Sequence, residues 1–287
     1  MKTAVITDSN SGIMPEEGEK MGVFVLPMPV LVDEKEYFEG VNLTHDEFYR
    51  QMEAGADITT SQPSPESVLE LWDRVLREYD EIVHIPMSSG LTGSVATARM
   101  LAEDYGGRVQ VADNHRISVT QRRSVQDALD MVQAGWDAAR VREFLERTGS
   151  ESSIYIMLET LTYLKKGGRI TPAAAALGTL LRLKPVLTIQ GEKLDAFAKA
   201  RTVKQGKDMM IKAIQHDLSV RWNDPSAEGM HLMMAHTRND EAIEEFRGEL
   251  AALFPGREIQ IDPLPLSIAV HIGPGALAVA VAKRFEF

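Results

Sequence analysis

The chain has 287 residues, 44% of them hydrophobic and 25% charged, which is enough apolar material for one large α/β unit or two domains. A formal net charge of −11 argues against nucleic acid as a partner, because neutralising phosphates takes a basic face. With no cysteine there are no disulfides, thiolate nucleophiles or cysteine-built zinc sites, and without a long unbroken apolar run no stable membrane insertion is expected. The opening Met1-Lys-Thr-Ala-Val-Ile-Thr-Asp8 reads as a strand rather than a signal peptide, so a cytoplasmic location is expected.

In chain order, Lys2 to Ile6 is a short apolar strand, with Thr7-Asp8-Ser9-Asn10-Ser11-Gly12 at its carboxyl end. Open α/β sheets gather ligands there, so Asp8 is either a site residue or an Asx-turn leading into a helix. Val23 to Val32 has strand character but is interrupted by Pro27 and Pro29, which points to an edge or an irregular segment. Glu36-Tyr37-Phe38-Glu39-Gly40 reads as a hairpin return, and Thr44 caps a helix with Glu47 as its reciprocal partner. Thr59-Thr60-Ser61-Gln62-Pro63-Ser64-Pro65 is a hydroxyl-rich loop, after which Val68, Leu71, Trp72, Val75 and Leu76 mark one face of a helix.

Asp80 to Pro86 is the next strand, and Ser88-Ser89-Gly90-Leu91-Thr92-Gly93-Ser94 joins it to a helix carrying Val95, Ala98, Leu101, Ala102 and Tyr105. Two glycines and four hydroxyl side chains fall within those seven residues. Small residues let backbone N–H groups approach a ligand, and a helix N-terminus adds partial positive charge, so a carboxylate or phosphate suits the loop. The alternative is an ordinary N-cap and tight turn. The loop lacks the lysine of a Walker motif and the leading glycine of a nucleophile elbow, which disfavours ATP binding and a hydrolase serine.

Arg108 to Asp113 is a further strand, and a helix runs from Ser118 or Thr120 to Gln133. After Gly135 another helix carries Ala138, Val141, Phe144 and Leu145. This alternation implies a parallel sheet with right-handed crossovers. A composition shift at Thr148-Gly149-Ser150 divides the chain into domains 1–149 and 150–287. Beyond it come a strand Ser153 to Leu158, a short helix Thr160 to Lys166 ended by Gly167-Gly168, and an Ala/Leu helix from Thr171-Pro172 to Leu183. Val186 to Ile189 and Leu194 to Lys199 flank a hairpin turn at Gln190-Gly191-Glu192-Lys193. A helix near Val203–Leu218, a strand Met230–Ala235, a helix with Ile243, Phe246, Leu250 and Leu253, and strands near Ile259 and Ile268 follow. A final helix is expected after His271-Ile-Gly-Pro-Gly-Ala-Leu.

Several of these stretches together resemble the DegV family of fatty-acid-binding proteins. They are Thr7-Asp8-Ser9, Thr60-Ser61-Gln62-Pro63-Ser64, the Ser88–Ser94 loop, Leu161-Thr-Tyr-Leu-Lys-Lys-Gly-Gly-Arg-Ile170, Leu183-Lys184-Pro185-Val186-Leu187, Ala200-Arg201-Thr202 and His271–Leu277. They occur in the family's order across nearly the whole chain. The resemblance implies two α/β domains, the first with a mostly parallel sheet and the second with a mixed sheet and helices, clasping one long-chain fatty acid in the interdomain cleft. It implies no catalytic chemistry in this chain and no cofactor. It further implies that a separate ATP-dependent fatty acid kinase phosphorylates the presented carboxyl group, serving phospholipid metabolism.

By motif position Thr60 and Thr92 would bond the carboxyl, with Ser61, Gly93 and His271 nearby, and Arg169 would face the kinase. Asp113-Asn114-His115-Arg116-Ile117-Ser118-Val119-Thr120-Gln121 departs from the family, where many relatives have a Gly-rich turn, which bears on tunnel shape and acyl preference.

Burying roughly fifteen methylenes yields about 12 kcal/mol gross, against an association cost of about 4–15 kcal/mol. A hydrocarbon tail can thus supply most of the attraction while polar loops fix the head group. The 14 Met residues suit an adaptable tunnel, or plain core packing. His271, before Gly-Pro-Gly at a helix start, would pair with a carboxylate as imidazolium or donate one hydrogen bond when neutral. Thr160–Gly191 carries Lys165, Lys166, Arg169, Arg182 and Lys184 and no acid, which reads as a kinase-docking face or as a solvated basic surface. Two other functions stay open: a phosphotransfer or acyl-hydrolysing enzyme using Ser89 or Thr92 with His271, and a regulatory lipid sensor.

Overall fold

The computed structural model describes residues 1–177, 183–190 and 193–287, and the chain divides into two compact units. One comprises Met1–Ser150 with Pro265–Ser267 and Phe287, the other Glu151–Leu264 with Ile268–Glu286. The α/β class expected from the sequence is found, with a parallel sheet in the first unit and a mixed sheet in the second.

The first unit contains β1 (Thr3–Asp8), β2 (Val23–Leu26), β3 (Pro29–Val32), β4 (Lys35–Phe38), β5 (Ile58–Thr60), β6 (Glu81–Ile85) and β7 (Val109–Val111). Four of these form a parallel sheet in the order β2-β1-β6-β7. Strand β1 is buried along its whole length because helices cover both faces. Ala4 and Ile6 pack with Leu71 and Trp72 on one side, whereas Val5 packs with Val125 and Val141 on the other. This is why its sequence is an unbroken apolar run rather than an alternation. The chain passes from β1 to β2 on one flank and reaches β6 on the other, so the carboxyl ends of β1 and β6 flank a topological switch point, the usual ligand position in open α/β sheets.

The Val23–Val32 segment splits at Pro27, giving the edge strand β2 and then β3. Strand β3 turns through Asp33 and Glu34, both with positive φ, into β4 and also pairs with β5. Strand β5 therefore ends at Thr60, at the threshold of the first hydroxyl-rich loop. The expected capping box is present: Thr44 Oγ1 accepts from Glu47 N at 3.3 Å, and Glu47 Oε2 accepts from Thr44 N at 3.1 Å.

The second unit holds β8 (Ser152–Met157), β9 (Lys184–Ile189), β10 (Asp195–Ala200), β11 (Met230–His236), β12 (Ile259–Pro263) and β13 (Leu277–Lys283), in the order β10-β9-β8-β13-β11-β12. Strand β13 is antiparallel to both β8 and β11. The final helix expected after Gly275 is thus replaced by a central strand. Leu277, Val279 and Val281 alternate with Ala278, Ala280 and Ala282, and all six are buried. With both faces covered the strand has no polar alternation to reveal it, and its alanines read as helix formers.

Ile268, expected on a strand, lies on the helix Leu266–Ile272; in so short an apolar run, periodicity cannot separate a strand from a buried helix. The Ala/Leu helix is described over Pro172–Leu177. Its expected continuation through residues 178–182, and Gly191-Glu192 of the hairpin turn, lie outside the described residues. Among the described residues no helix is long and apolar enough to cross a membrane.

One close approach sets a limit on the first unit. The helix Pro15–Met21 packs on β2 at Gly18, where a Cβ would sit 2.6 Å from Val25 Cγ2 and 2.7 Å from the Val23 carbonyl oxygen. On an exposed helix Gly→Ala would gain about 1 kcal/mol. Here a backbone carbonyl blocks it, and Gly18→Ala should lower thermal stability by the ~1–3 kcal/mol typical of overpacking. A melting temperature above the parent's would show that the helix can withdraw from β2.

Candidate functional site

At the switch point the carboxylate of Asp8 is 1% exposed and surrounded by donors. Its Oδ1 accepts from Asn10 N at 3.1 Å and Gln121 Nε2 at 3.0 Å, and its Oδ2 accepts from Met87 N at 2.9 Å. Asp8 thus makes the Asx-turn foreseen for it, leading into a single 3-10 turn at Ser9–Ser11. It also ties the loop after β6 and the helix Ser118–Gln133 to the end of β1. Burial nevertheless raises its pKa, opposed by these bonds.

The loop after β6 satisfies its own backbone. Ser88 N donates to Arg116 O, Ser89 N to Asp113 Oδ1, Gly90 N to Ser88 Oγ, and both Leu91 N and Thr92 N to Ser88 O. The expected cradle of N–H groups is therefore committed internally from Met87 to Thr92. The hydroxyls at its exit stand differently. Thr92 Oγ1 and Ser94 Oγ share a hydrogen bond of 2.9 Å, and Thr92 Oγ1 accepts from Ser94 N at 3.2 Å. The exit of the loop thus presents hydroxyl side chains more than backbone N–H groups.

The two hydroxyl loops meet through Gln62, which sequence reasoning passed over. Its Oε1 lies 2.9 Å from where a Cβ of Gly93 would be, and its Nε2 donates to Thr97 Oγ1 at 3.2 Å. Thr60 and Thr92 are half-buried, and Ser61 and Gly93 are exposed. Through Gln62 the loop that contains Thr60 and Ser61 meets the loop that contains Thr92 and Gly93. The i, i+3 spacing of Ser94 and Thr97 on the following helix was the available signal for the polar face behind them.

The 113–121 segment is held by a buried guanidinium. Arg116 donates to Gly149 O at 3.2 Å, Thr148 O at 3.0 Å and Ser124 Oγ at 3.2 Å. His115 and Ser118 have φ of 57° and 53°, the left-handed region that glycine enters freely. Without glycine each costs about 1–2 kcal/mol, and the Arg116 bonds help to hold that backbone in place.

In the second unit the helix Thr162–Gly167, capped by Gly168 at φ 69°, packs against the 271–275 loop. A Cβ on Gly167 would collide with His271 Nδ1, and one on Gly273 with the ring of Tyr163. A Cβ on Gly275 would lie 2.7 Å from Glu159 Cγ. Thr237 fixes the loop, its Oγ1 donating to Gly273 O at 2.6 Å and accepting from Ala276 N at 2.9 Å.

His271 occupies the last turn of Leu266–Ile272, not the start of a helix as the sequence suggested. Burial, then the nearby Arg169 charge, pushes its pKa down to about 4, so at neutral pH it is an uncharged imidazole. Arg169 donates from Nη1 to Gly167 O, while Lys165 and Lys166 are exposed. The basic segment is less bare than its sequence: Lys184 pairs with Glu159 at 2.5 Å, and Arg182 lies outside the described residues. Among the described residues no group of three or more His, Asp or Glu could hold a metal ion.

The family model described as "Uncharacterised protein, DegV family" matches residues 2–284. The chain belongs to the DegV family. A DegV domain-containing protein of Deinococcus radiodurans is 30% identical over 282 residues, 98% of each chain, and one of Listeria innocua is 30% identical over 281 residues, 97% of each. A DegV family protein of Thermus thermophilus, whose structure is described by its fatty acid binding, matches with a TM-score of 0.88 and 31% identity over 99% of this chain and 100% of that one. Bacillus subtilis DegV, described as a fatty acid binding protein, matches at 0.86 with 26% identity over the same shares. The DegV resemblance read from the sequence is therefore correct.

The depressed histidines of this DegV chain have a measurable consequence. His271 and the fully buried His84 both fall to about 4 when folded, from an ordinary value of 6.5. Between those values the unfolded chain holds protons that the folded chain refuses, so acidification across this window lowers stability by up to about 1.4 kcal/mol per pH unit for each histidine. His271→Gln should remove one such share. Asp8 and Asp127, raised by burial, act in the opposite sense but equally in both proteins. Denaturant unfolding at several pH values between 7 and 4 should show the stability difference shifting in the variant's favour as pH falls. A constant difference would mean that His271 accepts its proton without cost.

Proposed function

We propose that this DegV protein binds a long-chain fatty acid and presents its carboxyl group to a separate ATP-dependent fatty acid kinase, which forms the acyl phosphate. The supporting observation is the match over 99% of the chain, at 31% identity, to a Thermus thermophilus relative described by its fatty acid binding. It is joined by the gathering of two hydroxyl loops at the switch point of a parallel sheet. In this reading Thr60 and Thr92 bond the carboxyl group, with Ser61 and Gly93 beside them, and His271 is a further neutral donor. Arg169, with Lys165 and Lys166, belongs to the surface that meets the kinase. The protein contributes no catalytic chemistry of its own.

An enzymatic alternative would need Ser89 or Thr92 activated by His271. A histidine whose pKa is near 4 is a weak general base at neutral pH, and the loop has no nucleophile elbow. Native mass spectrometry with organic extraction of the purified protein tests the carrier reading: a co-purifying fatty acid supports it. Turnover of an acyl substrate without any added protein supports the enzyme.

Thr60→Val and Thr92→Val should each weaken fatty acid affinity by about 1.5–3 kcal/mol, the worth of a hydrogen bond to a charged group. Acyl phosphate formation with the kinase should fall further. Parent-like binding and presentation by both variants would move the head-group site elsewhere.

Arg169→Ala separates docking from structure. As a docking residue it should leave fatty acid affinity near the parent's but slow the kinase reaction, with less salt dependence than the parent. Its bond to Gly167 O gives the structural role a concrete form. A joint loss of melting temperature and fatty acid affinity would establish that role instead.

A further inference from the structure

Gly93 is the N-cap of the helix Ser94–Ala102, a position where Ser, Thr, Asp or Asn would bond the first turn, and it makes no such bond. Its backbone does not ask for glycine. At φ −80° and ψ −5° it has the conformation that ordinary residues take at the third position of a type I turn. Nor is it packed in a core, since it is exposed. What a side chain would meet there is Gln62, whose Oε1 lies 2.9 Å from the place of a Cβ. From that position the Gln62 amide brackets the hydroxyl of Thr97, one turn into the helix: Nε2 donates to Oγ1 at 3.2 Å, and Oγ1 lies 3.4 Å from Oε1. Thr97 N in turn donates to Gly93 O at 3.1 Å, so the amide lies across the first turn of the helix. Both loops are anchored close to this contact. Thr60 pairs with Val30 in the β3–β5 ladder and Ser61 N donates to Pro29 O, while Thr92 Oγ1 accepts from Ser94 N.

We infer that Gln62 and Gly93 form a clasp between the two hydroxyl loops, in which position 93 is glycine so that the Gln62 amide can reach Thr97. Gln62 directly follows Thr60 and Ser61 in the chain, and Gly93 directly follows Thr92. The clasp therefore sets the distance from the first pair of hydroxyls to the second. Resting on the carrier reading above, this makes Gln62 a positioning residue, which acts on the head-group hydroxyls through Gly93 and Thr97. The competing view is that helix packing alone holds the loops, because Val68 and Leu71 of one following helix share a core cluster with Val95 and Ala98 of the other.

The test is a double-mutant cycle on the full chain, read as affinity for palmitate and oleate, with melting temperatures and a crystal structure of Gly93→Ala. Gln62→Ala, Gly93→Ala and Thr97→Val should each weaken binding about three- to tenfold, the span expected for one neutral hydrogen bond. Melting temperatures should stay near the parent's, since the link is exposed. Gly93→Ala should show the Gln62 amide displaced from Thr97. Combining Gln62→Ala with Gly93→Ala should weaken binding no further than either change alone, whereas independent residues would multiply their losses. If Gly93→Ala costs as much without Gln62 as with it, Gly93 acts on the ligand by itself and the clasp is overturned. Parent-like affinity in Gln62→Ala would show that helix packing holds the loops, again overturning the inference while leaving the carrier reading intact. Should the parent bind neither fatty acid, the positioning role falls with the carrier reading, and the Gly93→Ala structure still decides the clasp. If Gly93→Ala fails to fold, Gln62→Ala combined with Thr97→Val gives the same cycle without altering the glycine.

Discussion

A carboxylate enclosed by protein must draw its hydrogen-bond donors from whatever surrounds it, and Asp8 draws them from three separate stretches of chain. Asn10 lies on its own loop, Met87 on the loop after β6, and Gln121 on the helix Ser118–Gln133. Gln121 also donates to Thr7 Oγ1 and to the Ile85 carbonyl oxygen, so the ends of β1 and β6 are tied by side chains as well as by the ladder. Everything at the switch point is built on this tie. It places Met87, Met87 begins the loop whose N–H groups turn inward, and that loop delivers Thr92 and Ser94, whose hydroxyls bond each other.

The consequence for recognition differs from a phosphate loop. Where a P-loop offers backbone N–H groups to an anion, this loop spends its N–H groups on Ser88, Asp113 and Arg116. Hydroxyls that can donate or accept are what the exit of the loop presents instead.

Local chemistry was legible in the sequence wherever one residue type has one dominant use. The Thr44–Glu47 capping box, the proline break between β2 and β3, and the glycine stop after Lys166 follow from backbone requirements that few residues meet. Burial on both sides removed the signal elsewhere: β13 carries no polar residue before Lys283, and Leu266–Ile272 is too short to show a period. The hydroxyl loops were visible as composition, but their partner Gln62 was not, because its role depends on Gly93 from a distant stretch. That the backbone of the 113–121 segment, which has no glycine, takes left-handed turns at His115 and Ser118 could be learned only from the structure. His84 looked like one more polar residue in an apolar strand.

Strand β13 has a further implication for how the protein is made. It joins the β10-β9-β8 half of its sheet to the β11-β12 half, and the two halves share no other ladder among the described strands. As the last of these strands to leave the ribosome, it must wait for more than a hundred residues after its partner β8 has been synthesised. Until then β8 and β11 expose open edges that invite pairing with other chains. The sheet of the second unit therefore closes only once β13 is available, with high contact order and slow closure. The first unit's parallel sheet needs nothing later than β7, so its strands can pair while the rest is still emerging.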